Sequence, residues 1–151
     1  MKKITSFTVD HDKIVEGLYI SRIDGDITTY DMRMRKPNMG DYIDNLTIHS
    51  LEHMFATYIR NSDISENVIY FGPMGCQTGF YLLVRDTSED VVLEIVKETL
   101  IKIINHKGEI FGNTRTECGN YRNLNLESAQ IESERYLSLL NSKEVTFKYE
   151  Q

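Results

Sequence analysis

Two histidines stand four residues apart with a glutamate beside the second, in the run His49-Ser50-Leu51-Glu52-His53. On a helix each residue advances about 100 degrees, so His49, Glu52, His53, Ala56 and Arg60 fall within about 100 degrees of one another. Both imidazoles can then face one ion, with the carboxylate alongside as a proton carrier. The apolar residues Ile48, Leu51, Phe55 and Ile59 form a stripe centred roughly 120 degrees away, so the histidines need not enter a core. The same spacing also suits an exposed or hydrogen-bonded pair that binds no metal.

Two histidines do not complete a metal site; a third protein ligand is needed, and catalysis needs an open position as well. Cys118, in Thr116-Glu117-Cys118-Gly119-Asn120-Tyr121, is a candidate because a turn presents a thiolate well. Its other reading is a small buried hydrophobe. A His2Cys set with a fourth position open suits zinc and ferrous iron. Cys76 lies among Gly72, Pro73, Gly75 and Gly79, where the backbone can approach a small molecule closely. An ordinary hairpin loop with an inert thiol fits those residues too.

The order His-x-x-Glu-His is also that of inverted zinc peptidases. There the third ligand is a glutamate on a later helix, and Glu127, Glu132 and Glu134 are available. That reading leaves Cys76 and Cys118 without a use.

The elements that must carry these residues follow from hydrophobic period. Residues 18–35 read as a hairpin turning at Asp24-Gly25. In its second arm Tyr30, Met32 and Met34 share one face, and Asp31, Arg33 and Arg35 share the other, which the charge pattern predicts to be solvated. Residues 45–60 read as a helix, and 66–85 as strand, glycine-rich turn and strand. A helix is expected over 88–104, capped by Thr87 or Ser88, with Glu98 and Lys102 placed for an exposed ion pair. Another amphipathic helix is expected over 126–140. This succession predicts one α+β domain over residues 1–151, a mainly antiparallel sheet with helices packed on one side.

A net charge of −6 speaks against a nucleic-acid groove or an anionic membrane surface. No stretch approaches the roughly 20 apolar residues that cross a bilayer. The opening Met1-Lys2-Lys3-Ile4-Thr5-Ser6 soon turns polar and does not read as an export signal. Two cysteines without such a signal are expected to be reduced thiols in the cytoplasm.

Taken together, "TIHSLEH" (47–53), "GPMGCQTGFY" (72–81) and "ECGNYRNLNLESA" (117–129) resemble the S-ribosylhomocysteine lyase family, the autoinducer-2 synthases called LuxS. "SFTVDH" (6–11) and "YDMRMRKPN" (30–38) resemble that family's opening segments in the same order, so the likeness spans nearly the whole chain. It implies a homodimeric α+β enzyme with active sites at the subunit interface. The implied metal ligands are His49, His53 and Cys118, holding ferrous iron, with zinc or cobalt able to substitute. The implied acid/base pair is Glu52 and Cys76, while Ser6, His11, Arg33 and Arg60 fall at substrate-contacting or site-supporting positions. The implied reaction cleaves S-ribosylhomocysteine to homocysteine and 4,5-dihydroxy-2,3-pentanedione by carbonyl migrations and a β-elimination. The second product is the precursor of a quorum-sensing signal, and the first returns to the activated methyl cycle. Where a common family pattern has Asp-Ile-Ser before "PMGC", this chain has Tyr70-Phe71-Gly72, at the homocysteine end of the implied pocket.

Overall fold

A computed structural model describes residues 1–150. After a short 3-10 turn at Thr5–Phe7, strands β1 (Gly17–Asp24) and β2 (Ile27–Arg33) form the first hairpin. Helix α1 (Asn45–Ile59) follows, then the hairpin β3 (Val68–Pro73) and β4 (Gly79–Arg85), and finally helices α2 (Glu89–Ile104) and α3 (Leu126–Asn141). The sheet order is β1-β2-β4-β3 with every neighbour antiparallel, which is the α+β arrangement expected.

Alternation sets the two faces of the sheet. Leu18, Tyr30, Met32, Phe80 and Leu82 turn inward and pack with Leu51, Phe55, Val96, Leu100 and Tyr136 of the helices in one core. Phe71 is clasped between Phe55 and Phe80, its ring stacked on them at centroid distances of 4.4 and 4.9 Å. Each such fully buried side chain contributes about 1.5–3 kcal/mol, so α1 is held to the sheet by its apolar stripe rather than by its polar face. No helix of the described residues is long and apolar enough to cross a membrane.

Three local expectations are corrected. The first hairpin turns at Gly25-Asp26, because Asp24 still pairs with Ile27; Gly25 supplies the positive φ of 60° that the tight turn needs. Glu98 and Lys102 form no ion pair among the described residues, since the helix surface lets each extend into water separately. The polar face of β2 is not solvated: Asp31 is 1% exposed, Arg33 2% and Arg35 8%. Period-2 alternation tells which residues share a face, but not what covers it. Here the C-terminal residues cover it beside Tyr19. The Ile20 amide donates to the Phe147 carbonyl at 2.8 Å, and Tyr149 stacks on Tyr19 at 4.8 Å. Arg35 turns beneath α3 and meets Glu132.

Candidate active site

Asp44 begins α1 by accepting from the Thr47 amide at 2.9 Å, a hydrogen bond that holds its carboxyl below the usual range. The helix buries Ile48, Leu51, Phe55 and Ile59 and leaves His49, Glu52 and His53 half-exposed, as its periodicity predicted. The two imidazoles lie edge to face with centroids 4.7 Å apart.

Each ring is oriented by a backbone carbonyl. His49 Nδ1–H donates to the Asn123 carbonyl at 2.7 Å, and His53 Nδ1–H donates to the Phe111 carbonyl at 2.8 Å. A carbonyl can only accept, so both Nδ1 atoms carry the proton and both Nε2 lone pairs are free for a ligand. Cys118 Sγ lies 3.4 Å from His49 Nε2. Nitrogen and sulfur ligands sharing one tetrahedral ion would be about 3.5 Å apart. One ligand atom from each of His49, His53 and Cys118 falls within 4.8 Å of the others. The Asn120 amide also points at Cys118 Sγ at 3.4 Å, a donor suited to a thiolate. Orientation, spacing and donor type all fit a divalent ion. Glu132, one of the peptidase-like third ligands, is instead paired with Arg35, and neither Glu127 nor Glu134 joins the cluster.

The loop bearing Cys118 is tied to α1 most firmly at its C-terminal end. Asn123 Nδ2 donates to Asn45 Oδ1 at 2.7 Å, and the Asn125 amide donates to Ser50 Oγ at 2.7 Å. Asn125 then caps α3 by accepting from the Ser128 amide at 2.9 Å. On the other side Gly112 lies against His53: a Cβ there would sit 3.0 Å from Nδ1 and 3.3 Å from Cε1, at a φ of +69°. Gly112→Ala should therefore push the ring off the Phe111 carbonyl and weaken metal binding by about tenfold or more. Competition with a chromophoric chelator measures this, and an unchanged affinity would show that His53 tolerates the intrusion. Sequence reasoning missed Asn123, Phe111, Gly112 and Ser50. Two of them act through main-chain carbonyls, which leave no trace in residue type; only the asparagine-rich "GNYRNLN" hinted at a loop that hydrogen-bonds outward.

A second cluster surrounds Cys76, an exposed free thiol in the β3–β4 loop. Gln77, at a φ of 62°, pins that loop to the residues before α1: its carbonyl accepts from the Ile43 amide at 2.9 Å and its Nε2 donates to the Ile43 carbonyl at 3.0 Å. Cys76 Sγ is 2.9 Å from Thr78 Oγ1, which accepts from Arg33 Nη1 at 2.8 Å. A hydroxyl already accepting from a guanidinium keeps its own proton to donate, so Thr78 can hydrogen-bond a Cys76 thiolate. Arg33 forks onto Asp31 at 3.1 and 2.7 Å. Burial opposes its charge, but the Asp31 hydrogen bond and charge outweigh that, with help from Cys76, and its pKa is raised.

Ser6, in the 3-10 turn, lines a cleft of about 510 Å3 together with Ser21, Tyr70 and Tyr81. Tyr70 of the variant Tyr70-Phe71-Gly72 run is 53% exposed there, whereas Phe71 belongs to the core. His11 donates from Nδ1 to the Val9 carbonyl at 2.8 Å. Arg60 ends α1 and donates from Nη2 to the Ile69 carbonyl at 3.0 Å. Glu52 makes no hydrogen bond or ion pair among the described residues. The fold thus brings together His49, His53 and Cys118, and separately Arg33 and Cys76. No hydrogen bond or ion pair of the described residues joins Ser6, His11 or Arg60 to either cluster.

Fold and site together define a class: an α+β protein with a helix-borne His2Cys group able to hold one metal ion, and a second, guanidinium-backed thiol. The chain belongs to the S-ribosylhomocysteinase (LuxS) family, whose model matches residues 4–146. It is 44% identical to the S-ribosylhomocysteine lyase of Borrelia garinii subsp. bavariensis, over 99% of each chain. It is 42% identical to the enzymes of the same name from Finegoldia magna and Clostridium acetobutylicum, over 94% of each chain.

Proposed function

We propose that this chain is a metal-dependent carbon–sulfur lyase that cleaves S-ribosylhomocysteine to homocysteine and 4,5-dihydroxy-2,3-pentanedione, the autoinducer-2 precursor. The observation that carries the reading is the carbonyl-oriented His49 and His53 with Cys118 beside them, in a chain whose relatives bear that enzyme's name. His49, His53 and Cys118 would hold the ion, with ferrous iron as the working metal and zinc or cobalt, which bind such a donor set at least as tightly, as substitutes. When bound, it supplies a Lewis acid for the sugar's carbonyl oxygens.

The chain's own residues move the protons. Shifting a carbonyl along the sugar takes a proton from one carbon and returns it to the neighbour, so one group must act as base and then as acid. Cys76 does this as a thiolate, with Thr78 donating to its sulfur and the Arg33 charge behind. Glu52 projects from α1 on the same face as His49 and His53 and serves the later transfers. In the last of these a proton leaves carbon, the carbon–sulfur bond breaks, and homocysteine departs as its thiol. Ser6, His11, Arg33 and Arg60 contact the substrate or support the site. Ile4 and Tyr70, 59% and 53% exposed at the open cleft, favour a second copy of the chain covering it in a homodimer with interface active sites. The free thiols of Cys76 and Cys118 suit the cytoplasm.

Anaerobic incubation with S-ribosylhomocysteine and iron or cobalt should release one free thiol per substrate consumed, read with a thiol reagent. Cys118→Ala should neither retain metal nor release thiol. Absence of thiol release under iron, cobalt and zinc would overturn the function, and full metal occupancy in Cys118→Ala would overturn the ligand set.

A further inference from the structure

The Cys76–Thr78–Arg33–Asp31 series does not end at Asp31. Tyr149 Oη donates to Asp31 Oδ2 at 2.7 Å, on the oxygen that Arg33 Nη2 also contacts. Tyr149 lies beyond residues 4–146, the part of the chain that the family model matches. Its placement is specific. Phe147 bridges Tyr19 and takes a φ of 62°, which is costly for a bulky residue, by about 1–2 kcal/mol. That twist sends the Phe147 ring to the helix side of the sheet, edge-on to Tyr30, while Tyr149 drops onto the opposite face against Tyr19.

We propose that Tyr149 is a positioning residue: its hydroxyl, by engaging Asp31, sets how much of the Arg33 charge reaches Thr78 and the Cys76 thiol. The inference rests on the reading of Cys76 as the acid/base group. Asp31 lies 1% exposed between Arg33 and Tyr149, and its single negative charge is divided between them. Without the hydroxyl, Asp31 turns its whole charge on the guanidinium, and less positive potential remains at the sulfur. The guanidinium also loses one member of the frame that fixes its plane.

The charged and titratable groups around the series are few. Arg33 on β2 and Tyr81 on β4 face Cys76; Tyr19 on β1, Tyr136 on α3 and Tyr149 stand around Asp31 and Arg33. Burial raises all four of these tyrosines, Tyr19 to about 12, and the Asp31 charge adds to each. They therefore stay neutral wherever a thiol titrates. Glu16 and Glu150 also act on Tyr19, but Asp31 and Arg33 are the charges that hydrogen bonds link to the thiol.

The test is Tyr149→Phe in the metal-loaded full chain. The pH dependence of alkylation at Cys76 by iodoacetamide is read by peptide mass, so that Cys118 does not interfere. The expected midpoint moves upward by about half a pH unit relative to the parent chain. Turnover should fall about threefold to tenfold, with KM and metal content unchanged. A shifted midpoint with unchanged turnover upholds the role of Tyr149 and instead removes Cys76 as the base. An unmoved midpoint overturns the inference, including where thermal stability falls, because a purely structural tail would lower stability without touching the thiol.

Discussion

Replacing Cys76 with alanine is expected to cut turnover of S-ribosylhomocysteine by about a hundredfold to ten-thousandfold, the range for loss of a positioned acid/base group. Metal content should not change, since Cys76 is not one of the three clustered ligands. The variant should also fold normally: Cys76 is exposed, and the loop is held by Gln77 and the Met74 amide rather than by the thiol. What is lost is the loop's thiol, whose sulfur is linked through Thr78 to the Arg33 guanidinium. Arg33 and Thr78 would remain in place, aimed at an inert methyl. Single-turnover assays with quantified metal separate the possibilities. Near-parental turnover in a metal-replete Cys76→Ala would remove the base assignment, whereas lost metal would mean that the two clusters are coupled.

Glu132→Ala should destabilise the fold by about 3–5 kcal/mol, the usual result of stranding one member of a buried ion pair. Glu132 receives both arms of the Arg35 fork, at 2.7 and 2.5 Å, with the two side chains 5% and 9% exposed. Arg35 Nη1 also donates to the Met34 carbonyl at 3.0 Å. The nearest other carboxylate, Asp41, is 67% exposed, and at 3.4 Å from Nε it lies within ion-pair reach but out of hydrogen-bonding geometry, leaving Nε without an acceptor. Removing Glu132 would thus leave a buried guanidinium with only exposed, water-screened carboxylates, Asp41 and Asp44, nearby. Denaturant unfolding followed by circular dichroism measures the loss; a change below about 1 kcal/mol would mean that water or Asp41 replaces Glu132 fully. Replacing both partners with apolar residues of similar volume should cost far less than the single change. The site would feel the single variant as well, because α3 starts directly after the loop that carries Cys118.

The candidate site residues were legible where the signal was local. Four-residue spacing on a helix of 3.6 residues per turn puts His49 and His53 side by side whatever the rest of the chain does, and the apolar stripe fixes which way they face. The hairpins, the three helices and the α+β arrangement followed from equally short-range alternation and capping. Cys118 and Cys76 could be nominated from their turns, and the family resemblance joined them to the histidines, but no local rule said that a sulfur 69 residues from His49 would come to its Nε2.

Tertiary structure alone decided what surrounds those groups. The Asn123 and Phe111 carbonyls that choose the histidine tautomers are main-chain atoms with no sequence signature. Arg33 and Arg35 looked solvated because alternation reports a face and not its cover; Tyr149 and Glu132, distant in sequence, supply that cover and turn surface charges into buried ones. Sequence period fixed the direction of each side chain, since direction is a property of the local backbone. Desolvation, pairing and reactivity depend on which remote segment closes over it, and that is settled only when the whole core packs.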